Sequence, residues 1–383
     1  MSGKFARGGV PFGRLALISN QAFSICNFRG DFIREVVRRG VKVFAFAPDY
    51  DEATRDQVEA LGATPVSYAL KRAGMNPFQE LRVVLELVFR LRALKVDAVF
   101  SYFIKPVIYG GISGWLAGVP LRYSMIEGAG FVYSDEGNAS SLRRFLRFVV
   151  TQFIRLSLAV SKRAFLLNQD DYDLFVTKKL ARSGKVLVLP GIGVDLDYFS
   201  ASPPVLAPVT FVLVARLLKE KGIYDFVEAA RIIREKGKFA RFIVLGGIEK
   251  RRGAISYKDV RHWVDEGLLE WPGHVTNVRY WVAKASVFVL PSYYREGLPR
   301  STQEAMSLGK PIITTDWVGC RETVLDGVNG FLVPVKDPER LAAAMLKFIE
   351  SPSLIDPMGE ESRRLAEQRY DVSVINNTVL SAL

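Results

Sequence analysis

"SVFVLPSYYREGLPRSTQEAMSLGKPIITT", Ser286–Thr315, holds a complete strand–loop–helix–strand unit. "SVFVLP" is a short continuous apolar run, as a strand buried on both faces requires. Pro299 fits the first turn of a helix, where a missing N–H costs nothing. "RSTQEAMSL" continues that helix, Gly309 stops it, and "PIITT" is the next strand. Apolar runs separated by helices predict a parallel sheet covered on both faces. The loop before Pro299 then lies at the carboxyl end of a strand, where ligands of such sheets bind.

The same alternation runs outward in both directions. Upstream in this half are "VTFVLV" (Val209–Val214) and "RFIVLGG" (Arg241–Gly247). The first half offers "RLALIS" (Arg14–Ser19), a helical pattern from about Asn27 to Arg39, and "KVFAFA" (Lys42–Ala47). It continues with "DAVFS" (Asp97–Ser101), "RYSMI" (Arg122–Ile126), "AFLLN" (Ala164–Asn168) and "KVLVLP" (Lys185–Pro190). Between the halves, "SASPPVLAP" (Ser200–Pro208) is proline-rich, aperiodic and uncharged, and reads as a linker. The fold class expected is α/β, with two doubly wound halves and the natural site in the cleft between them. The boundaries expected are 1–199, a linker at 200–208, 209–360, and a helical segment 361–383 crossing back to the first domain.

Bulk properties narrow the functions. With 383 residues, 49% hydrophobic and 24% charged, the chain can bury a sizeable core. Two distant cysteines, Cys26 and Cys320, make neither a disulfide framework nor a metal cluster. They are read as reduced thiols. The basic N-terminus lacks the apolar core of a secretory signal, and no run approaches a spanning helix. A cytoplasmic protein, soluble or peripheral, is expected. A net charge of +12 favours anionic partners. No zinc-finger spacing, RNP-like motif or basic–aromatic repeat points to nucleic acid.

Within the opening stretch, Glu296 and Glu304 are eight positions apart. Paired carboxylates serve acid/base hydrolysis, metal binding or sugar recognition, and an acid near a helix N-terminus is also a plain stabilising device. Spacing alone leaves these open, since a loop acid and a second-turn acid can meet the ~5–9.5 Å that a glycosidase needs. The amides near Gly297 and Leu298, with the helix N-terminus, suit an anion. Arg216 and Lys221 in "VARLLKEKG" (Val214–Gly222) follow another strand and can surround a diphosphate, which argues against a hydrolase.

At this point four ordered segments resemble the family 4 retaining glycosyltransferases. Ser292–Pro334 resembles their E-x7-E region, and "LPGIGVDLDYF" (Leu189–Phe199) their N-G-V-D-x-x-x-F segment. "VARLLKEKG" is similar to their G-R-L-x-x-x-K-G segment, with Ala215 where glycine is common. "GHVTNV" (Gly273–Val278) is similar to a G-x-V loop. The resemblance is strong over the second half and weak over the first. It implies a GT-B fold of two facing Rossmann-like domains and a nucleotide diphosphate sugar, held without a metal and without any other cofactor. Arg216 and Lys221 would hold the diphosphate, Glu304 the ribose hydroxyls and Glu296 the transferred sugar. Gly297 and Leu298 would offer amides, and Gly246 and Gly247 would let the base approach. One departure concerns a histidine common in the first-half loop of relatives, because both histidines here, His262 and His274, lie in the second half. Glu127 in "MIEGAGFVYSDEG" (Met125–Gly137) is offered instead as an acceptor contact, with Asn20 and Arg29 as further acceptor candidates.

"SLRRFLRFVVTQFIRLSLAVSKR" (Ser141–Arg163) sets Arg143, Arg144, Arg147 and Arg155 within an arc of about 120°, against Phe145, Val149, Phe153 and Leu156. Phe148 and Ile154 interrupt the basic side. An ordinary domain helix accounts for this pattern, and so does a helix lying in an anionic membrane interface. The stretch on to Phe175 resembles the subgroup that extends glycans on polyprenyl diphosphate. That resemblance implies a UDP-sugar donor, a hexose or N-acetylhexosamine, a lipid-linked saccharide acceptor and a place on the inner face of the cell membrane. A GDP-sugar (mannosyl) transferase and a nucleotide-sugar epimerase are the alternatives, and a non-catalytic anion-binding protein is the competing class.

Overall fold

The computed structural model describes residues 9–70, 77–130, 141–249 and 253–383. The chain divides into two compact units, Met1–Ile192 with Ser373–Leu383, and Gly193–Val372. Ser200–Pro208, read as a linker, therefore lies inside the second unit, where the Ser202 amide and hydroxyl both donate to the Leu308 carbonyl at 3.1 Å. Of the segment 361–383, only Ser373–Leu383 joins the first unit.

The first unit runs β1 (Arg14–Ile18), α1 (Ala22–Phe28), α2 (Gly30–Arg38), β2 (Lys42–Ala47), α3 (Glu52–Ala60) and β3 (Thr64–Ser67). It continues with α4 (Pro77–Ala93), β4 (Ala98–Tyr102), α5 (Ile104–Leu116), β5 (Leu121–Ile126), α6 (Ser141–Val160), β6 (Arg163–Leu166), α7 (Gln169–Thr177) and β7 (Val186–Val188). The described strands form one parallel sheet in the order β3-β2-β1-β4-β5-β6-β7. Strand order reverses between β1 and β4, so their carboxyl ends open the crevice where ligands of doubly wound sheets bind. The helical stretch expected from Asn27 to Arg39 is two helices. Arg29, at φ −125° and ψ 3°, breaks it, and this break aims its side chain at the ends of β4 and β5.

The second unit runs β8 (Thr210–Val214), α8 (Ile223–Glu235), β9 (Arg241–Leu245), α9 (Tyr257–Asp265), β10 (Glu270–Gly273), α10 (Val278–Ala283) and β11 (Val287–Leu290). Then follow α11 (Arg300–Ser307), β12 (Ile312–Thr315), β13 (Gly330–Val333), α12 (Pro338–Glu350) and α13 (Ile355–Arg369). Its described strands are ordered β10-β9-β8-β11-β12-β13, all parallel. The reversal falls between β8 and β11. Phe211, Phe226, Phe242, Val287 and Phe348 fill the core between sheet and helices. Each such buried side chain contributes about 1.5–3 kcal/mol. The last helix, α14 (Val372–Ala382), returns to the first unit, where Tyr123 Oη and Lys162 Nζ donate to the Leu383 carbonyl.

Pro299 is not the first helical residue but the N-cap of α11, at φ −61° and ψ 117°. Its extended backbone delays the helix by one position. Glu304 nonetheless sits in the second turn.

Candidate active site

In the second unit three adjacent strands end at one place. Arg216 and Lys221 follow β8, Gly246 and Gly247 follow β9, and Glu296, Gly297 and Leu298 follow β11. Backbone bonds lock these loops together. The Glu220 carbonyl accepts from the amides of Tyr293 (2.9 Å) and Tyr294 (3.0 Å) and from Ser292 Oγ (3.2 Å). The Leu217 carbonyl accepts from the Ile255 amide at 2.9 Å, and the Lys219 amide donates to the Gly253 carbonyl at 2.9 Å. Two glycines permit the close approach. Gly222 lies at φ +72°, and a Cβ there would stand 2.0 Å from the Pro291 carbonyl oxygen. A Cβ on Gly246 would stand 1.9 Å from the Ala215 carbonyl oxygen. Gly247 meets no such obstacle, since its nearest neighbour would be His274 Cβ at 3.5 Å.

This scaffold places Lys221 against Glu296. Their side chains are ion-paired and nearly buried. Ser292 Oγ donates to the same carboxylate oxygen at 3.1 Å, and Lys221 Nζ stands 5.5 Å from the centre of the Tyr294 ring. Arg216 is different. It is half exposed and reaches Glu249 at 3.6 Å, a loose contact that a stronger anion can replace. Glu304 accepts from Arg300 Nε at 3.0 Å, one helical turn back. Burial pushes the Glu304 carboxyl above the ordinary carboxylate range, with Arg300 opposing. The two acids of the opening stretch thus each have their own cation and do not form a pair sharing one proton. Cys320 is buried beside the Lys221–Glu296 pair. Burial first, then the Glu296 charge, push its thiol up to about 12, which leaves it protonated and unreactive.

The first unit builds a second polar cluster at its own switch point. Arg29 and Glu127 form a buried ion pair, and Arg29 Nη2 also touches Met125 Sδ at 2.9 Å. The Arg29 guanidinium lies 4.7 Å from the centre of the Tyr102 ring. Tyr102 Oη is hydrogen-bonded to Ser24 Oγ at 3.0 Å, and Ser24 Oγ to Ser19 Oγ at 2.8 Å. Beside Ser19, Asn20 Oδ1 is a buried acceptor with no hydrogen-bond partner among the described residues, and so is the donor Arg29 Nε. Phe103 follows Tyr102 at φ +70°. A side chain held there stores about 1–3 kcal/mol of strain, and such strain concentrates at functional sites.

Residues 208–351 match the family described as glycosyl transferases group 1. The N,N'-diacetylbacillosaminyl-diphospho-undecaprenol alpha-1,3-N-acetylgalactosaminyltransferase of Campylobacter jejuni is 26% identical, across 94% of this chain and 96% of its own length. This chain is a glycosyltransferase. The UDP-Gal:alpha-D-GlcNAc-diphosphoundecaprenol alpha-1,3-galactosyltransferase of Escherichia coli is 25% identical to the transferase over 72% of each chain. Among solved structures, Anabaena Alr3699/HepE in complex with UDP aligns over 97% of this chain and 99% of its own, with a TM-score of 0.73 at 16% identity. Sucrose-phosphate synthase from Thermosynechococcus elongatus covers 96% and 97%, at a TM-score of 0.75 and 16% identity. These likenesses give the fold of the transferase as GT-B.

Several residues of the two polar clusters escaped the sequence reading. Ser292, Tyr294, Arg300, Glu249 and Tyr102 each contact a residue singled out there. Arg300 was findable, since it stands four positions before Glu304 on one helix. Tyr102 and Glu249 meet their partners only through the fold. On α6, Arg144 is exposed and Arg147 half-buried, while the Arg143 side chain lies outside the described residues, as do residues 131–140 of the Glu127 loop. Ile154, read as an interruption of the basic side, is instead part of the face that packs inward with Ser157 and Leu158. Among the described residues, no helix is long and apolar enough to cross a membrane.

Proposed function

We propose that this glycosyltransferase moves a hexose or N-acetylhexosamine from a UDP-sugar to a saccharide carried on a polyprenyl diphosphate. The observation that carries the reading is the meeting of Arg216, Lys221 and the Glu296 loop at the carboxyl ends of β8 and β11. A diphosphate there takes the Arg216 guanidinium and shares the Lys221 ammonium with Glu296. As the bond between the sugar's anomeric carbon and the β-phosphate oxygen breaks, negative charge grows on that oxygen. Fixed cations and amides stabilise that charge, each about 3–4 kcal/mol in barrier. Gly297 and Leu298 supply the amides. Because the cations are built in, transfer proceeds without a metal and without any other cofactor.

Glu304 accepts from the ribose hydroxyls, and Glu296 from the transferred sugar. Gly246 and Gly247 leave room for the base. Asn20, Arg29 and Glu127 contact the acceptor, for which the unpartnered Asn20 Oδ1 and Arg29 Nε are ready hydrogen-bonding groups. The undecaprenyl diphosphate acceptors in the names of the two relatives support a lipid-linked substrate. Such an acceptor places the enzyme peripherally on the inner face of the cell membrane. Retention of configuration follows by likeness to the family.

The test is thermal stabilisation by a panel of nucleotides, followed by sugar transfer to a polyprenyl-diphosphate saccharide. UDP at 100 times its Kd is expected to add about 2.7 kcal/mol of stability. Stabilisation by GDP alone would replace the UDP donor with a GDP-sugar, and conversion of the nucleotide sugar with no acceptor present would make the enzyme an epimerase.

A further inference from the structure

The helices α4, α5 and α6 connect strands that step in one direction across the first unit's sheet. Right-handed crossovers therefore place them on one face, with α5 packed against both others. Helix α4 packs inward through Val83, Leu87 and Leu91, which recur at four-residue spacing and are buried. Its opposite side carries Leu81, Leu85 and Phe89 at the same spacing, all exposed, with Phe89 at 74%. Phe78 extends this stripe by one turn. At about 100° per residue, Arg92 falls within about 20° of Leu81 on that outer side, and the exposed Arg82 flanks it.

Helix α6 repeats the arrangement. Ile154, Ser157 and Leu158 are buried, while Phe145, Phe148, Phe153 and Leu156 are exposed, with Phe148 at 60%. Arg144 and Arg155 lie on the flank of that exposed arc. The helix has four arginines and no acid. The two acids of α4 are already engaged, Glu80 with Lys105 and Glu86 with Arg90. At the end of α5, between them, Trp115 and Leu116 are also exposed.

We propose that the outward faces of α4 and α6 form one docking surface for an anionic lipid bilayer, with Leu81, Leu85, Phe89, Phe145 and Phe148 entering the headgroup boundary. Charge complementarity selects this occupant. Aromatic and leucine side chains ringed by arginines, with no unpaired acid among the described residues of either helix, match an apolar interior under anionic headgroups. A second copy of the chain would bring the arginines against one another. The inference deepens the lipid-linked-acceptor reading, yet it stands on α4, which that reading does not use.

Sedimentation of the full chain with vesicles tests it, using phosphatidylcholine alone and phosphatidylcholine with phosphatidylglycerol. Binding is expected to the anionic vesicles. Leu85→Ser with Phe89→Ser should weaken it at least tenfold, as loss of two inserted apolar side chains implies. Arg82→Gln and Arg92→Gln should each weaken it about fivefold. Stabilisation by UDP, followed in parallel, should be the same in every variant. Wild-type protein that stays in the supernatant would overturn the proposal, as would variants that sediment like wild type. A concentration-dependent dimer that Leu85→Ser/Phe89→Ser converts to monomer would make the face a contact between copies. Absence of UDP stabilisation with vesicle binding intact would defeat the donor reading alone.

Discussion

Lys221 Nζ is bonded to Glu296 Oε1 across 75 positions of sequence, in a pair almost closed to solvent. Lys221 leaves β8 on a short 3-10 turn and Glu296 leaves β11, so only the adjacency of those strands brings them together. The pair gives the nearly buried lysine a carboxylate partner of its own. It also fixes the carboxylate at the position proposed for the transferred sugar.

Removing the lysine should separate two effects. In Lys221→Ala the nearly buried Glu296 carboxylate loses its cation, at about 3 kcal/mol in stability. Turnover should fall about 10²–10³-fold through the lost charge stabilisation. Adding Glu296→Gln should restore most of the stability and none of the turnover. Calorimetry and initial rates on the single and double variants measure both. Recovery of turnover in the double variant would place the lysine's role in folding alone.

The loop that presents Lys221 depends on Gly222. Gly222→Ala puts a methyl 2.0 Å from the Pro291 carbonyl oxygen at φ +72°. The β8 and β11 loops must then separate, and UDP stabilisation should disappear even where the protein still folds. Gly237 is the control, since it has φ +69° but nothing within 4 Å of its added Cβ. Gly237→Ala should cost only about 1 kcal/mol and leave UDP binding unchanged. Equal loss of UDP binding in both variants would refute the claim that the loop contact matters.

Central strands were legible in the sequence and some edges were not. Strands β1, β2, β8, β9 and β11 are nearly continuous apolar runs because both faces are covered. The unread strands β3, β10 and β13 are all sheet edges. Thr64–Ser67 and Glu270–Gly273 each contain a proline, which edge strands tolerate and which hides them from a pattern search. The second-unit site was legible because its residues cluster in two short segments after β8 and β11. The first-unit cluster was only half legible. Arg29, Glu127 and Asn20 appeared as separate candidates, and the ion pair between the first two exists only because Arg29 breaks the helix and β1, β4 and β5 lie side by side.

The Arg29–Glu127 pair should report on the acceptor alone. Glu127→Gln keeps the shape and removes the charge, so UDP stabilisation should persist while KM for the acceptor rises. Replacing both residues by methionine should restore stability lost in either single change, because paired buried charges are often matched by apolar side chains. A change in UDP affinity in Glu127→Gln would place this residue at the donor instead.

Glu304 gives the pH dependence. Burial holds its carboxyl above the ordinary range, and Arg300 pulls it part of the way back. As pH falls through the raised value, the proton removes the acceptor proposed for the ribose hydroxyls. UDP affinity should then drop up to about tenfold per pH unit, the limit for one proton. The sign for stability is the reverse. An acid with a raised folded pKa favours the unliganded fold at low pH, and that contribution is lost as pH rises through the folded value. UDP binding and the stability of the unliganded fold should therefore respond to acid in opposite directions. Glu304→Gln should bind UDP weakly and keep only the limb set by UDP's own terminal phosphate, which titrates at about 6. Arg300→Leu, which removes the group that lowers the pKa, should move the limb to higher pH. Calorimetric titration of UDP from the ordinary carboxylate range upward in pH measures all three proteins, and an unshifted limb in Arg300→Leu would rule out Glu304 as its source.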